Sequence, residues 1–128
     1  MIEDAIYTIG QAAAGLTALI GTRLYPSGVQ ERPTAPFVVY DKEDPIPVAG
    51  IHVDSGWYHT TFTFMAAATT ARAAAALIAQ VRVAYQRYNA TVGSHIIDDI
   101  KAMPNGSSYY DEELELFIEE IELEVFHN

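Results

Sequence analysis

Cysteine is absent from this chain of 128 residues. That removes a disulfide framework, a thiolate nucleophile and cysteine-ligated zinc, and it points to folding in a reducing, cytosolic setting. Positive charge is scarce: seven Lys and Arg stand against seventeen Asp and Glu, a formal net charge of −10. Such a balance repels phosphate backbones, so specific nucleic-acid recognition is not expected. A long uninterrupted apolar run is also missing. The uncharged stretch 5–22 has the length of a membrane span, but Tyr7, Thr8, Gly10, Gln11, Gly15 and Thr17 dilute it, and Glu3 and Asp4 precede it where a basic region would stand. Neither a signal peptide nor a transmembrane helix is expected. Nor is there a phosphate-cradling loop, because Gly10 to Gly15 lies inside a helical pattern and no lysine follows.

Half of the residues are apolar, enough for one compact domain over residues 1–128 and too few for a comfortable second core. Ile2, Ile6, Ile9, Ala13, Leu16 and Ile20 recur at helical spacing, and Gly21 follows where a left-handed cap belongs, which predicts an amphipathic first helix. Pro26, Gly28, Pro33 and Pro36 make 22–36 a loop. Phe37 to Tyr40 reads as a strand covered on both faces. Residues 41–55, with Pro45, Pro47 and Gly50, read as a loop long enough to project from the body and carry a binding surface. From Trp57 to Met65 the sequence alternates, with Tyr58, Thr60, Phe62 and Phe64 on one face and His59, Thr61 and Thr63 on the other, the pattern of a half-buried strand. Thr69 or Thr70 can cap the next helix, whose apolar stripe is Ala71, Ala74, Ile78, Val81, Tyr85 and Tyr88, with Arg72, Arg82 and Arg87 directed elsewhere. Gly93 is expected to end that helix, Ile96, Ile97 and Ile100 to open a weaker strand reaching Met103, and Pro104-Asn105-Gly106 to turn the chain.

The segment from Tyr109 to Phe126 supports two readings. Leu114, Phe117, Ile118, Ile121 and Val125 fit a helix, whereas Leu114, Leu116 and Ile118 followed by Ile121, Leu123 and Val125 fit a strand whose phase slips once at Glu119-Glu120, as a β-bulge would make it. Dense β-branching and the preceding turn favour the bulged strand. With the phase reset there, Glu113, Glu115, Glu122 and Glu124 share the outer face as a carboxylate stripe. The predicted fold class is α+β, an antiparallel sheet of about four strands packed against two helices.

Chemistry-bearing residues do not gather in the sequence. His52, Asp54 and His59 are metal-ligand types, but histidine on the polar face of a strand is ordinarily a surface residue, and the spacing of a site is missing. Ser94-His95 with Asp98-Asp99 has the residue types of a hydrolase triad, yet neighbours on one strand cannot converge on a point. Asn89-Ala90-Thr91 matches a glycosylation sequon, without meaning where no secretory signal is expected. The expectation is no enzyme, no metal and no cofactor. The run from Asp111 to Glu124 holds eight carboxylates and no basic residue. A solvated face that keeps the protein soluble accounts for it, and the alternative is a surface whose negative charge lines something.

Taken together, Arg23-Leu24-Tyr25 after the first helix, Ala35-Pro36-Phe37-Val38-Val39-Tyr40, the alternating strand at 57–65 and the alanine-rich helix resemble the tail terminator, or tail-completion, proteins of long-tailed bacteriophages. The resemblance extends over nearly the whole length in element order and is carried by short apolar motifs. It implies an α+β domain that assembles as a homo-oligomeric ring, commonly hexameric, which caps the tail tube, ends its polymerisation and offers a docking face to the head or neck. The implied partners are the tail tube protein and a head/neck connector protein. The resemblance further implies that DNA passes through the channel without specific binding, that no membrane is involved, and that the protein joins the tail or neck of the virion in the host cytoplasm. A neck or head-completion protein of the same virion would share size and ring formation. A cytosolic ligand-binding or enzymatic α+β domain is the alternative of another class. The proline-containing loop 44–55 and the alanine run 66–76 depart from the family pattern.

Cyclic closure needs two complementary patches on every subunit. Arg72, Arg82 and Arg87 are expected to meet a neighbour's acidic residues, since three of the seven basic residues lie on one helix. Ile46, Val48, Ile51 and Val53 are expected at a contact with a neighbouring subunit or the tube, unless their loop folds back on its own body. The stripe of Glu113, Glu115, Glu122 and Glu124 is expected to face the channel and repel DNA, or else to lie outside the ring and serve solubility.

Overall fold

The computed structural model describes residues 2–27, 33–49 and 54–128, with side chains at all of these except 47–49, 54, 55, 104 and 105. The apolar stripe of the first segment is buried at Ile2, Ile6, Ile9, Leu16 and Ile20. It belongs to two helices, α1 (Ile2–Ala12) and α2 (Ala14–Ile20), because Ala13 turns extended, with φ −81° and ψ 102°. Gly21 closes α2 as its position suggests: at φ +60° its N–H donates to the Thr17 carbonyl at 2.7 Å, a conformation that glycine adopts without a Cβ penalty.

The remaining elements are β1 (Leu24–Pro26), β2 (Phe37–Lys42), β3 (Ile46–Ala49), β4 (Asp54–Ala68), α3 (Ala71–Tyr85), β5 (Ala90–Val92), β6 (His95–Asp111) and β7 (Leu116–His127). Among the described residues they form one seven-stranded sheet in the order β1-β2-β4-β7-β6-β5, with β3 pairing β4 off that path. The expectation of four antiparallel strands and two helices is corrected to a seven-stranded mixed sheet and three helices, since β1 runs parallel to β2. Two of the added strands lie in segments read as loops. Leu24–Pro26 pairs within 22–36 despite its proline, and Ile46–Ala49 folds back on β4, with Ile46 opposite His59 and Pro47 opposite Tyr58.

α3 starts where Thr70 Oγ1 accepts the Ala73 N–H at 3.1 Å, satisfying one of the unpaired amides of the first turn. Its buried face is Ala74, Leu77, Ile78, Val81 and Tyr85, while Ala71 is exposed. The helix ends at Tyr85, and Gly93, at φ +60°, lies between β5 and β6, so it does not terminate the helix as expected. α3 packs on β4 and β7. The main core lies between the helices and the inner sheet face, formed there by Phe62, Phe64, Ile121, Leu123 and Val125. Each such large side chain contributes on the order of 1.5–3 kcal/mol by leaving water. Tyr85 ties the layers together, its hydroxyl donating to the Ile6 carbonyl at 2.7 Å and its ring lying 4.9 Å from that of Phe64.

The terminal segment is a strand, but it carries no bulge at Glu119-Glu120. Its register with β4 runs unbroken from Ala68 opposite Phe117 to Tyr58 opposite His127. The apolar phase slips because the sheet is buried on different faces along its length. Ile121, Leu123 and Val125 point to the helices, whereas Leu116 and Ile118 point the other way, into a second cluster with Phe37 and Ala67. The irregularities lie in β6, between Ile97 and Asp99 and between Ala102 and Gly106. Pro104-Asn105-Gly106 therefore forms a bulge inside a long strand and is not the turn that was expected. Gly106 is required there, since a Cβ would stand 2.8 Å from the Glu120 carbonyl oxygen.

Candidate interaction surfaces

With β7 regular, its even-numbered residues share one face. Glu120, Glu122 and Glu124 lie on the sheet surface away from the helices, opposite Met65, Thr63 and Thr61 of β4. The carboxylate stripe is thus Glu120, Glu122 and Glu124. Glu113 and Glu115 sit in the turn between β6 and β7, with Glu115 at φ +56°, and do not join it. Two of the three carboxylates are held. Glu120 accepts from Tyr109 Oη at 2.9 Å and Ser107 Oγ at 3.2 Å, and Glu124 Oε1 lies 3.0 Å from His59 Nδ1, close in distance but misaligned for a hydrogen bond. Burial and then the Glu120 carboxylate raise the Tyr109 phenol above its ordinary pKa.

The three arginines proposed for one interface separate. Arg87 lies beyond α3 at φ +62°, and its Nη1 is 2.8 Å from Asp99 Oδ2. Arg72 and Arg82 remain on the helix, with no side-chain partner among the described residues. Of the apolar residues proposed for the 44–55 loop, Ile46 stands on β3 and is 53% exposed. Val48 lies on β3 with its side chain undescribed, and Ile51 and Val53 lie outside the described residues.

The opposite end of the sheet gathers rings. Tyr58 stacks on His127 at 6.0 Å and His59 on Phe126 at 5.9 Å, while His95 meets His127 edge-on at 6.3 Å. On the helix side, a cavity of about 230 Å³ is lined by Ile2, Glu3, Lys42, Tyr58, His95 and His127 among others. Lys42 Nζ bridges to Glu3 Oε1 at 2.8 Å. Burial works to raise the Glu3 carboxyl, but its bond to Lys42 and its own backbone bond outweigh that and leave its pKa lowered. Of the hydrolase-like set, His95 faces His127 and Asp99 is taken by Arg87, so the two do not converge. His52 lies outside the described residues, and among those described no group of three or more His, Asp or Glu is placed to hold a metal ion.

A second recess at this end, about 310 Å³, is lined by Trp57, Tyr58, Asp98 and Phe126. One signal of it is present in the sequence. Ile97 and Ile100 are both fully buried and three residues apart, which a regular strand cannot place on one face.

No family model matches this chain, and no curated protein does. Among solved structures the fold is similar to a chain of the virion of a native gene transfer agent (GTA) particle, with a TM-score of 0.81, 19% identity, and coverage of 98% of this chain and 93% of that one. At that identity the likeness is one of fold.

Proposed function

We propose that this chain is a non-enzymatic structural protein of a phage-like virion. In this reading it forms a ring on the end of the tail tube, stops the tube's growth and presents the docking surface for the head or neck. The observation that carries the reading is the end-to-end fold likeness to the gene transfer agent virion chain. The resemblance of its element order and apolar motifs to tail terminators narrows the role. Supporting it, Lys42 is engaged by Glu3 and Arg87 by Asp99, whereas among the described residues Arg72, Arg82 and an acidic sheet face remain as contact material. In the ring, Arg72 and Arg82 meet a neighbour's carboxylates, the β3 hairpin with Ile46 contacts a neighbour or the tube, and Glu120, Glu122 and Glu124 line the DNA channel.

Electron microscopy of the purified protein, alone and mixed with tail tubes, tests the proposal. Rings seated on one end of each tube are expected. Rings that bind the head's connector and ignore tubes would move the protein to the neck. A chain that binds neither would leave the ligand-binding domain as the better reading.

A further inference from the structure

The recess lined by Trp57, Tyr58, Asp98 and Phe126 owes its carboxylate to a bulge. Ile97 stands opposite His127 and Asp99 opposite Phe126, so β6 spends two residues where β7 spends one, and Asp98 is the extra residue. Asp99 is engaged by Arg87, while Asp98 is exposed and has no partner among the described residues. Aromatic walls with a carboxylate at the rim are the chemistry that receives a guanidinium or ammonium group. Phe126 already draws one cation, since Lys101 Nζ lies 5.9 Å from its ring centroid.

The chain also carries an arginine placed at a disadvantage. Arg72 is exposed in the first turn of α3, where no acidic residue accompanies it and the helix dipole opposes positive charge. Arg23, Lys42, Arg87 and Lys101 all have partners within the chain; among the described residues Arg72 and Arg82 have none, and Arg82 stands in the last turn of α3, where the helix dipole favours it. β4 runs from Trp57 at the recess to Ala68, just before α3, so Arg72 and the recess lie at opposite ends of the sheet, on the order of 35 Å apart at the rise of a strand. They cannot meet within one copy. Two different patches at opposite ends are what a head-to-tail contact requires.

We infer that the Trp57–Tyr58–Asp98–Phe126 recess receives Arg72 of a second copy of this chain, its guanidinium pairing with Asp98 and lying against the aromatic rings. The contact rests on the ring reading above only for its closure into a ring. It gives a partner to Arg72 and to Asp98, each of which has none among the described residues of its own chain.

The test uses charge reversal in the full-length protein, with self-association followed by native mass spectrometry and analytical ultracentrifugation, and folding by circular dichroism. Arg72→Glu and Asp98→Arg are each expected to weaken self-association on the order of a hundredfold, and the double reversal to recover most of it. Arg87→Ala, whose partner is internal, should leave association unchanged. Because the chain has no cysteine, the Ala71→Cys, Ile96→Cys double variant gives a second measurement with Arg72 and Asp98 intact. A bismaleimide should link it into covalent multimers, where either single variant alone stays monomeric and an equimolar mixture of the two stops at dimers. Single reversals that assemble like wild type overturn the pairing and leave the ring reading standing. Assembly that responds as expected but ignores tail tubes upholds the pairing and removes tail capping. A wild-type chain that stays monomeric at every concentration, with and without tubes, overturns both.

Discussion

His127 Nε2 lies 2.7 Å from Thr60 Oγ1, a buried polar pair joining β4 and β7 beside the apolar Phe62 and Val125. The other ring nitrogen, Nδ1, is 3.0 Å from the Asn128 carbonyl oxygen, so a neutral imidazole with its proton on Nδ1 donates there and accepts the Thr60 hydroxyl at Nε2. Tyr58 and His95 pack on the ring, and Lys42 lies across the adjoining cavity.

That arrangement makes stability depend on pH. Burial, with His95 and Lys42 adding to it, pushes the His127 pKa below its ordinary value of 6.5. The unfolded chain then takes up this proton at a higher pH than the folded one. The contribution is full above about 6.5 and is lost as pH falls toward the lowered folded value. Thermal melts should show a midpoint that drops between about pH 7 and pH 5.5, and His127→Asn should flatten the drop. Glu3, lowered by Lys42, acts in a separate window: its contribution is present above 4.5 and is lost on acidification below that.

Tyr85→Phe removes the hydroxyl that donates to the Ile6 carbonyl while keeping the ring against Phe64. With both groups buried, the loss should cost about 1–2 kcal/mol in urea unfolding, with an unchanged m value. A cost near zero would mean that α1 is held by its apolar stripe alone.

Gly106→Ala places a methyl against the Glu120 carbonyl oxygen of the adjoining strand. Backbone in a paired strand cannot step aside cheaply, so a destabilisation of about 1–3 kcal/mol is expected, with faster amide exchange along residues 106–111 and 116–121.

What could be read from the sequence was what depends on neighbours in sequence. The alternation of β4, the Thr70 cap and the Gly21 cap each report a local arrangement, and each is present. The slip at Glu119-Glu120 was visible too, but its cause was not. Whether apolar residues change face because a strand bulges, or because the sheet has a core on both sides, is decided by Phe37 and Ala67, which are far away in sequence. The same holds for β1, a three-residue strand that needs β2 to pair with and the core to bury Leu24, and for Pro104 to Gly106, whose turn-forming residues are held inside a ladder by β7. Of the proposed interface, Arg72 and Arg82 could be read as surface cations, but the internal engagement of Arg87 depends on a strand that returns beside it.

The stripe on the outer sheet face offers one position where charge can be changed without breaking a contact. Glu120 is bonded to Ser107 and Tyr109, and Glu124 lies against His59, whereas Glu122 stands opposite Thr63 with no side-chain partner among the described residues. Glu122→Lys should therefore leave stability within about 0.5 kcal/mol of wild type. If this face lines a channel, as the ring reading has it, carboxylates spaced two residues apart along β7 present DNA phosphates with a repelling row. A lysine in the middle of that row supplies an attraction. Particles assembled with Glu122→Lys should package and join normally yet release DNA more slowly, and added salt should restore the rate by screening the new contact. Glu122→Gln, which removes charge without reversing it, should fall between the two. Release at the wild-type rate by both variants would place the stripe on the outside of the ring, where its negative charge serves solubility alone.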